Sequence, residues 1–187
     1  MFTDKIKEAT LIQHQQVEKT LVSKMKAIRS MEGYVDLLKI FYGYFGGLEQ
    51  KINSYINTSN LQDHHQRRKT DAMADDIKAL GGILPVKADD NSLPAINNAL
   101  KAFGALYVIE GSTLGGSIIS KMMQQHLQFE GQKGLSFFNG YGEQTHQMWA
   151  GFKAALNAAV TTADDETVVL QAANDTFGHF KQWMEKQ

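Results

Sequence analysis

His14 and Glu18 are the first residues in the chain whose types and spacing could do chemistry. Four residues apart on a helix, they share one face. An imidazole that ligates a metal through one nitrogen gains a fixed tautomer and higher basicity from a carboxylate beside the other. His14 stands in line with Leu11, Val17 and Leu21, a pattern that aims it at the core, where a hydrogen-bonded structural histidine is the commoner outcome. A second feature is Gly111, Gly115 and Gly116 in an otherwise helical stretch. Glycines inside a helix cost up to about 1 kcal/mol each relative to alanine, roughly 2–3 kcal/mol for the group, so something must offset them. Gly111 and Gly115, at i and i+4, open one helix face to another helix in the small-xxx-small manner or to a ligand, and glycine also permits a kink. A third feature, Glu143 with His146, has the Glu-x-x-His spacing of a di-iron carboxylate helix. That site needs a second such pair, and Glu49 and Glu110 have no histidine three residues on. His64-His65, His126 and His179 read as surface or cap residues.

The elements that must position these groups are helical. Apolar residues three and four apart predict helices over 3–28, 31–57 and 63–80, the second with the wide apolar band of a buried, central element. Gly81-Gly82 stop the third helix, and a loop follows to Asn91. Ser92 as N-cap with Pro94 in the first turn opens a long helix to Phe129, followed by a looser stretch from Gly131 to Gly142 that holds Phe137, Phe138 and Tyr141. Helices over 143–160 and 164–185 close the chain, the last with an acidic Asp164-Asp165-Glu166 first turn. No strand alternation or repeat interrupts this pattern, which predicts one all-α domain over 1–187.

Composition mostly excludes. The chain has 19 basic and 20 acidic residues and a net charge of -1, so no global footprint for nucleic acid or an anionic membrane surface. The absence of cysteine removes disulfides, thiolate metal sites and covalent haem attachment. The N-terminal residues lack signal-peptide order and no continuous apolar run nears a membrane-spanning length, so a cytoplasmic protein is expected.

The run Leu106-Tyr107-Val108-Ile109-Glu110-Gly111-Ser112-Thr113-Leu114-Gly115-Gly116 resembles the distal-helix motif of bacterial haem oxygenases, particularly the biliverdin-producing subgroup associated with bacterial phytochromes. Glu8-Ala9-Thr10 with His14 and Glu18 resembles that family's proximal helix. Phe137-Phe138-Asn139-Gly140-Tyr141-Gly142 resembles its turn, and Thr176-Phe177 through Trp183 its last helix. The motifs occur in the family's order over nearly the whole chain.

The resemblance implies a single-domain, multi-helix haem-oxygenase fold with a Gly-kinked distal helix, and haem as both substrate and cofactor. It implies His14 as proximal iron ligand supported by Glu18, and Gly111, Ser112, Gly115 and Gly116 as the catalytic distal segment, steering dioxygen to a meso carbon. The products are biliverdin, carbon monoxide and iron. Lys153 and Lys7 are implied partners for the haem propionates; Tyr107, Phe177 and Phe137 are implied pocket wall. A ferredoxin, a flavodoxin or a reductase is the implied electron donor, and a phytochrome the implied receiver of biliverdin. Ser112 departs from animal-type enzymes, which carry aspartate there, so the proton path is expected to run through backbone groups and waters. A carrier that binds haem or biliverdin without turnover would keep the same residues.

Overall fold

The computed structural model describes residues 1–128, 131 and 133–187, and among these it is helical with no strand. The N-terminal helical pattern forms two helices, α1 (Phe2–Ala9) and α2 (Leu11–Ala27), where one was expected over 3–28. The break falls at Thr10, whose hydroxyl bonds back to the Ile6 carbonyl at 2.7 Å, the local competition that bends helices. Ser30 then caps α3 (Met31–Ile52) by accepting from the Gly33 amide, and Asn53 ends it five residues short of the expected limit.

The stretch expected as a helix over 63–80 is instead a 3-10 turn, His64–Gln66, and a short helix, α4 (Asp71–Ala79). Between them Arg67 adopts an extended backbone, and both Arg67 and Arg68 turn their side chains inward. The long helix also starts later than predicted. Asn98, not Ser92, caps α5 (Ala99–Leu127) by accepting from the Lys101 amide at 2.9 Å. Leu93 and Ile96 mimic helical spacing but are buried in non-helical chain ahead of that cap. Phe129, the predicted end, lies outside the described residues, as do positions 130 and 132 of the looser stretch. That stretch contains the short α6 (Ser136–Asn139). The last two helices match expectation, as α7 (Thr145–Ala159) and α8 (Ala163–Lys186). In the capping box of α8 the Thr162 hydroxyl accepts from the Asp165 amide and the Asp165 carboxylate from the Thr162 amide.

Helix α3 is buried over much of its surface, as its wide apolar band predicts. Its Phe41, Tyr44 and Phe45 pack with Phe138 and Phe180, and the Tyr44 hydroxyl donates to the Thr176 carbonyl. Helix α5 is long and apolar enough to cross a membrane by composition, but 56% of that window is buried inside the protein. It packs most extensively on α8, where Gly104 lets the backbones meet: a Cβ there would sit 2.6 Å from the Val169 carbonyl. Helix α2 also packs on α8 but has little direct contact with α5. The two helices are thus the walls of a cleft whose floor is α8.

Candidate functional site

The cleft is closed at one end and opens along the helices. At the closed end Tyr107 of α5 directs its hydroxyl at Thr10, between α1 and α2, and burial raises the pKa of that phenol. One turn further along each wall stand Gly111 and His14. His14 is not buried as its place in the apolar stripe predicts: its side chain is 49% exposed, and Leu11 beside it is exposed as well. The stripe correctly marks the inward face, but α5 supplies no side chain to cover it. The His14 ring packs edge-on to Phe177 of α8, with centroids 5.5 Å apart. Its Nε2 lies 3.7 Å from Glu18 Oε1, an ion-pair separation rather than a direct hydrogen bond.

The facing wall lacks side chains where it matters. A Cβ at Gly115 would meet nothing within 4 Å, and one at Gly111 would meet only the Trp149 ring at 3.8 Å. Leu114 and Ile118, at helical spacing on the same side, are exposed, Ile118 at 65%. Gly116 differs: a Cβ there would overlap the Phe138 carbonyl, so this glycine lets α6 lie against α5 and faces away from the cleft. Of the three glycines, two open the wall and one is a packing residue.

The predicted cations gather at one corner. Lys7 and Lys153 both stand close enough to Asp4 to lower its pKa, after the larger effects of the N-terminal ammonium. Lys153 Nζ also lies 5.9 Å from the centre of the Trp149 ring. Trp149, which the sequence reading passed over, links this corner to the cleft, with its centroid 5.5 Å from that of Tyr107 and its edge against Gly111. Phe137 is not pocket wall as expected; it is buried in the core against Phe45 and Phe138.

Behind the open wall lies a polar cluster that sequence reasoning missed. Arg67 and Glu110, each with a side chain only 1% exposed, pair at 2.9 Å. Arg67 also forks onto both oxygens of Asp63 and donates to the Met148 carbonyl. Burial pulls the Arg67 pKa down, but the Glu110 and Asp63 carboxylates outweigh that and raise it. The Tyr141 hydroxyl donates to Glu110 and accepts from the Arg68 amide at 2.8 Å; burial, then Glu110, pushes its pKa up. The Arg68 guanidinium donates to the Ser112 hydroxyl at 2.7 Å and to the Ile109 and Phe137 carbonyls, and burial pushes it down to about 10. Ser112, expected in the catalytic segment, thus has its hydroxyl engaged at the back of α5: it donates to the Ile109 carbonyl at 2.6 Å. The one available signal was Glu110, a lone acid between the apolar run 102–109 and Gly111.

The alternative metal site does not assemble. Glu143 lies in the 3-10 turn Gly142–Gln144, His146 is exposed on α7, and no cluster of three potential metal ligands occurs among the described residues. A recess of about 500 Å³ between α3 and the 88–93 loop carries none of the predicted site residues.

The cleft therefore offers an accessible imidazole, an opposite wall without side chains, an apolar rim and cations at one corner. That set fits a flat, largely apolar metal chelate with an anionic edge. Comparison with known proteins agrees. The "Heme oxygenase" family model matches residues 1–186. A heme oxygenase of Xanthomonas campestris pv. campestris (strain 8004) is 28% identical over 150 residues, 79% of this chain and 86% of the relative. The NO- and CO-bound heme oxygenase of Neisseria meningitidis superposes with a TM-score of 0.83 at 25% identity, over 100% of this chain and 91% of that one. Heme oxygenase from Leptospira interrogans shares the fold, with a TM-score of 0.78 at 16% identity over 100% of this chain and 99% of that one. With its length spanned by that family model and its helices arranged around the same fold, the chain belongs to the haem oxygenase family.

Proposed function

We propose that this chain seats haem in the cleft between α2 and α5 and opens it oxidatively to biliverdin, carbon monoxide and iron, with dioxygen and reducing equivalents. Family membership carries the reaction, and the observation that carries the site is the pairing of accessible His14 with a facing wall where Gly115 has nothing near its missing side chain and Gly111 only the edge of Trp149. When bound, haem supplies both the redox-active iron and the macrocycle that is oxidised.

The protein's own residues bind and orient. His14 is the proximal ligand, held against Phe177, with the Glu18 carboxylate 3.7 Å from its Nε2. Gly111 and Gly115 bring the α5 backbone down onto the opposite face, and the glycine-rich segment 111–116 lets the helix bend to fit the ring. Leu11, Leu114 and Ile118 lose their exposure to water against its apolar faces. Tyr107 closes the inner end, while Lys7 and Lys153 meet the propionates at the outer corner. Because the Ser112 hydroxyl is engaged behind the helix, protons reach the distal side through backbone groups and water. The catalytic unit is one domain over 1–187. It works in the cytoplasm with a ferredoxin, flavodoxin or reductase as electron donor, and a bacterial phytochrome is the receiver of its biliverdin.

Reconstitution with haem, reductant and dioxygen tests this reading, with the Soret band and product spectrum followed together. Loss of the Soret band with appearance of biliverdin absorption is expected. A band that persists through repeated reduction and oxygenation would leave a carrier as the correct description.

A further inference from the structure

We propose that Arg68 is a positioning residue for the distal wall: its guanidinium fixes the backbone on either side of Gly111 and holds the Ser112 hydroxyl away from the cleft. This rests on the reading that haem lies against Gly111.

The residues flanking Gly111 both lead to residue 68. Ser112 follows Gly111, and its hydroxyl accepts from Arg68 Nη2 at 2.7 Å while donating to the Ile109 carbonyl at 2.6 Å. The same Nη2 donates to the Ile109 carbonyl at 2.9 Å, so guanidinium, hydroxyl and carbonyl form a closed triangle. Glu110 precedes Gly111 and accepts from the Tyr141 hydroxyl, which in turn accepts from the Arg68 amide. On its other side Arg68 Nη1 donates to the Phe137 carbonyl, and the guanidinium lies 3.9 Å from the centre of the Phe137 ring. The side chain therefore links two turns of α5 to α6.

Those acceptors lie in fixed directions on separate elements, a task for a planar fork of donors and not for the single point charge of lysine. The Arg68 Nε is buried with no protein partner, so this placement is not the cheapest way to fill the space. What it secures is geometry. Without it the Ser112 hydroxyl keeps only its own-helix bond to the Ile109 carbonyl, and the α5 backbone at Gly111 loses its support from behind.

The test uses the full chain loaded with haem, comparing wild type, Arg68→Lys, Arg68→Ala and Ser112→Ala. The readouts are haem affinity, the C–O stretching band of the ferrous carbon monoxide complex and the rate of ring opening. All variants should bind haem nearly as tightly as wild type. The arginine variants should shift or broaden the C–O band and slow ring opening by up to about a hundredfold, the penalty of small misplacements near a reacting centre. Added guanidinium ion should restore the wild-type band to Arg68→Ala and leave Arg68→Lys unchanged. Ser112→Ala should shift the band on its own but add little to Arg68→Lys, because both break the same triangle. Wild-type bands and rates in both Arg68→Lys and Ser112→Ala would overturn the proposal even if Arg68→Ala fails to fold. A wild-type chain that binds haem without opening it would instead sink the underlying functional reading.

Discussion

Two faces of α5, in contact with each other at Gly111, are built on opposite terms. On the front, Gly111 and Gly115 meet almost nothing and Leu114 and Ile118 are left exposed. On the back, Gly116 is pressed against the Phe138 carbonyl, Glu110 is paired with Arg67, and Ser112 is held by Arg68. The same residue type serves both faces for opposite reasons: glycine makes a space at 111 and 115 and removes a clash at 116. A glycine-rich helix is therefore not uniformly loose. The back must be rigid for the front to hold a fixed distance from its ligand.

The back of α5 depends most on its buried ion pair. Arg67→Ala leaves Glu110 charged and unpaired in the interior and is expected to cost about 3–5 kcal/mol, read by urea unfolding of the haem-free protein. The double change Arg67→Met with Glu110→Leu should recover most of that loss, since neither charge is then stranded. A single variant as stable as wild type would mean that the back of α5 is not held as described.

The next effect is smaller and separates the glycines. Gly116→Ala should lose about 1–3 kcal/mol of stability, because the clash is with backbone and not with a flexible side chain. Gly115→Ala should leave the haem-free protein unchanged or up to about 1 kcal/mol more stable, by helix propensity. The same substitution should weaken haem binding or slow ring opening by about tenfold, roughly 1.4 kcal/mol of misfit. Thermal melts beside haem titrations check both. If Gly115→Ala melted earlier and bound haem normally, the assignment of front and back would be reversed.

The smallest expected effect is at the corner. Lys153→Ala should weaken haem affinity by at most about fivefold, the scale of a solvent-screened ion pair, and less still at high salt. An effect of two orders of magnitude would show Lys153 to be something other than a propionate partner.

The legible parts of the molecule were those with local signals. The all-helical class, the acidic first turn of α8 and the wide buried face of α3 follow from spacing and residue type, and type and position single out His14, Glu18 and Gly111 as candidates. The burial of His14 was misread because periodicity marks the face that points at the bundle, not whether a neighbour covers it. Arg67 and Arg68 carry no local signal within the predicted helix 63–80, because the carboxylate that pairs with Arg67 is Glu110, 43 residues away. Such pairing is a property of the fold. Leu93 and Ile96 misled for a related reason, since burial of irregular chain can copy helical spacing over so short a stretch.

The most direct test of the central claim, that the cleft between α2 and α5 holds haem through His14, is resonance Raman spectroscopy of the ferrous haem complex. Wild type should show an iron–histidine stretching band, His14→Ala should lack it, and added imidazole should restore a band of the same kind. An unchanged band in His14→Ala would place the ligand elsewhere and contradict the account.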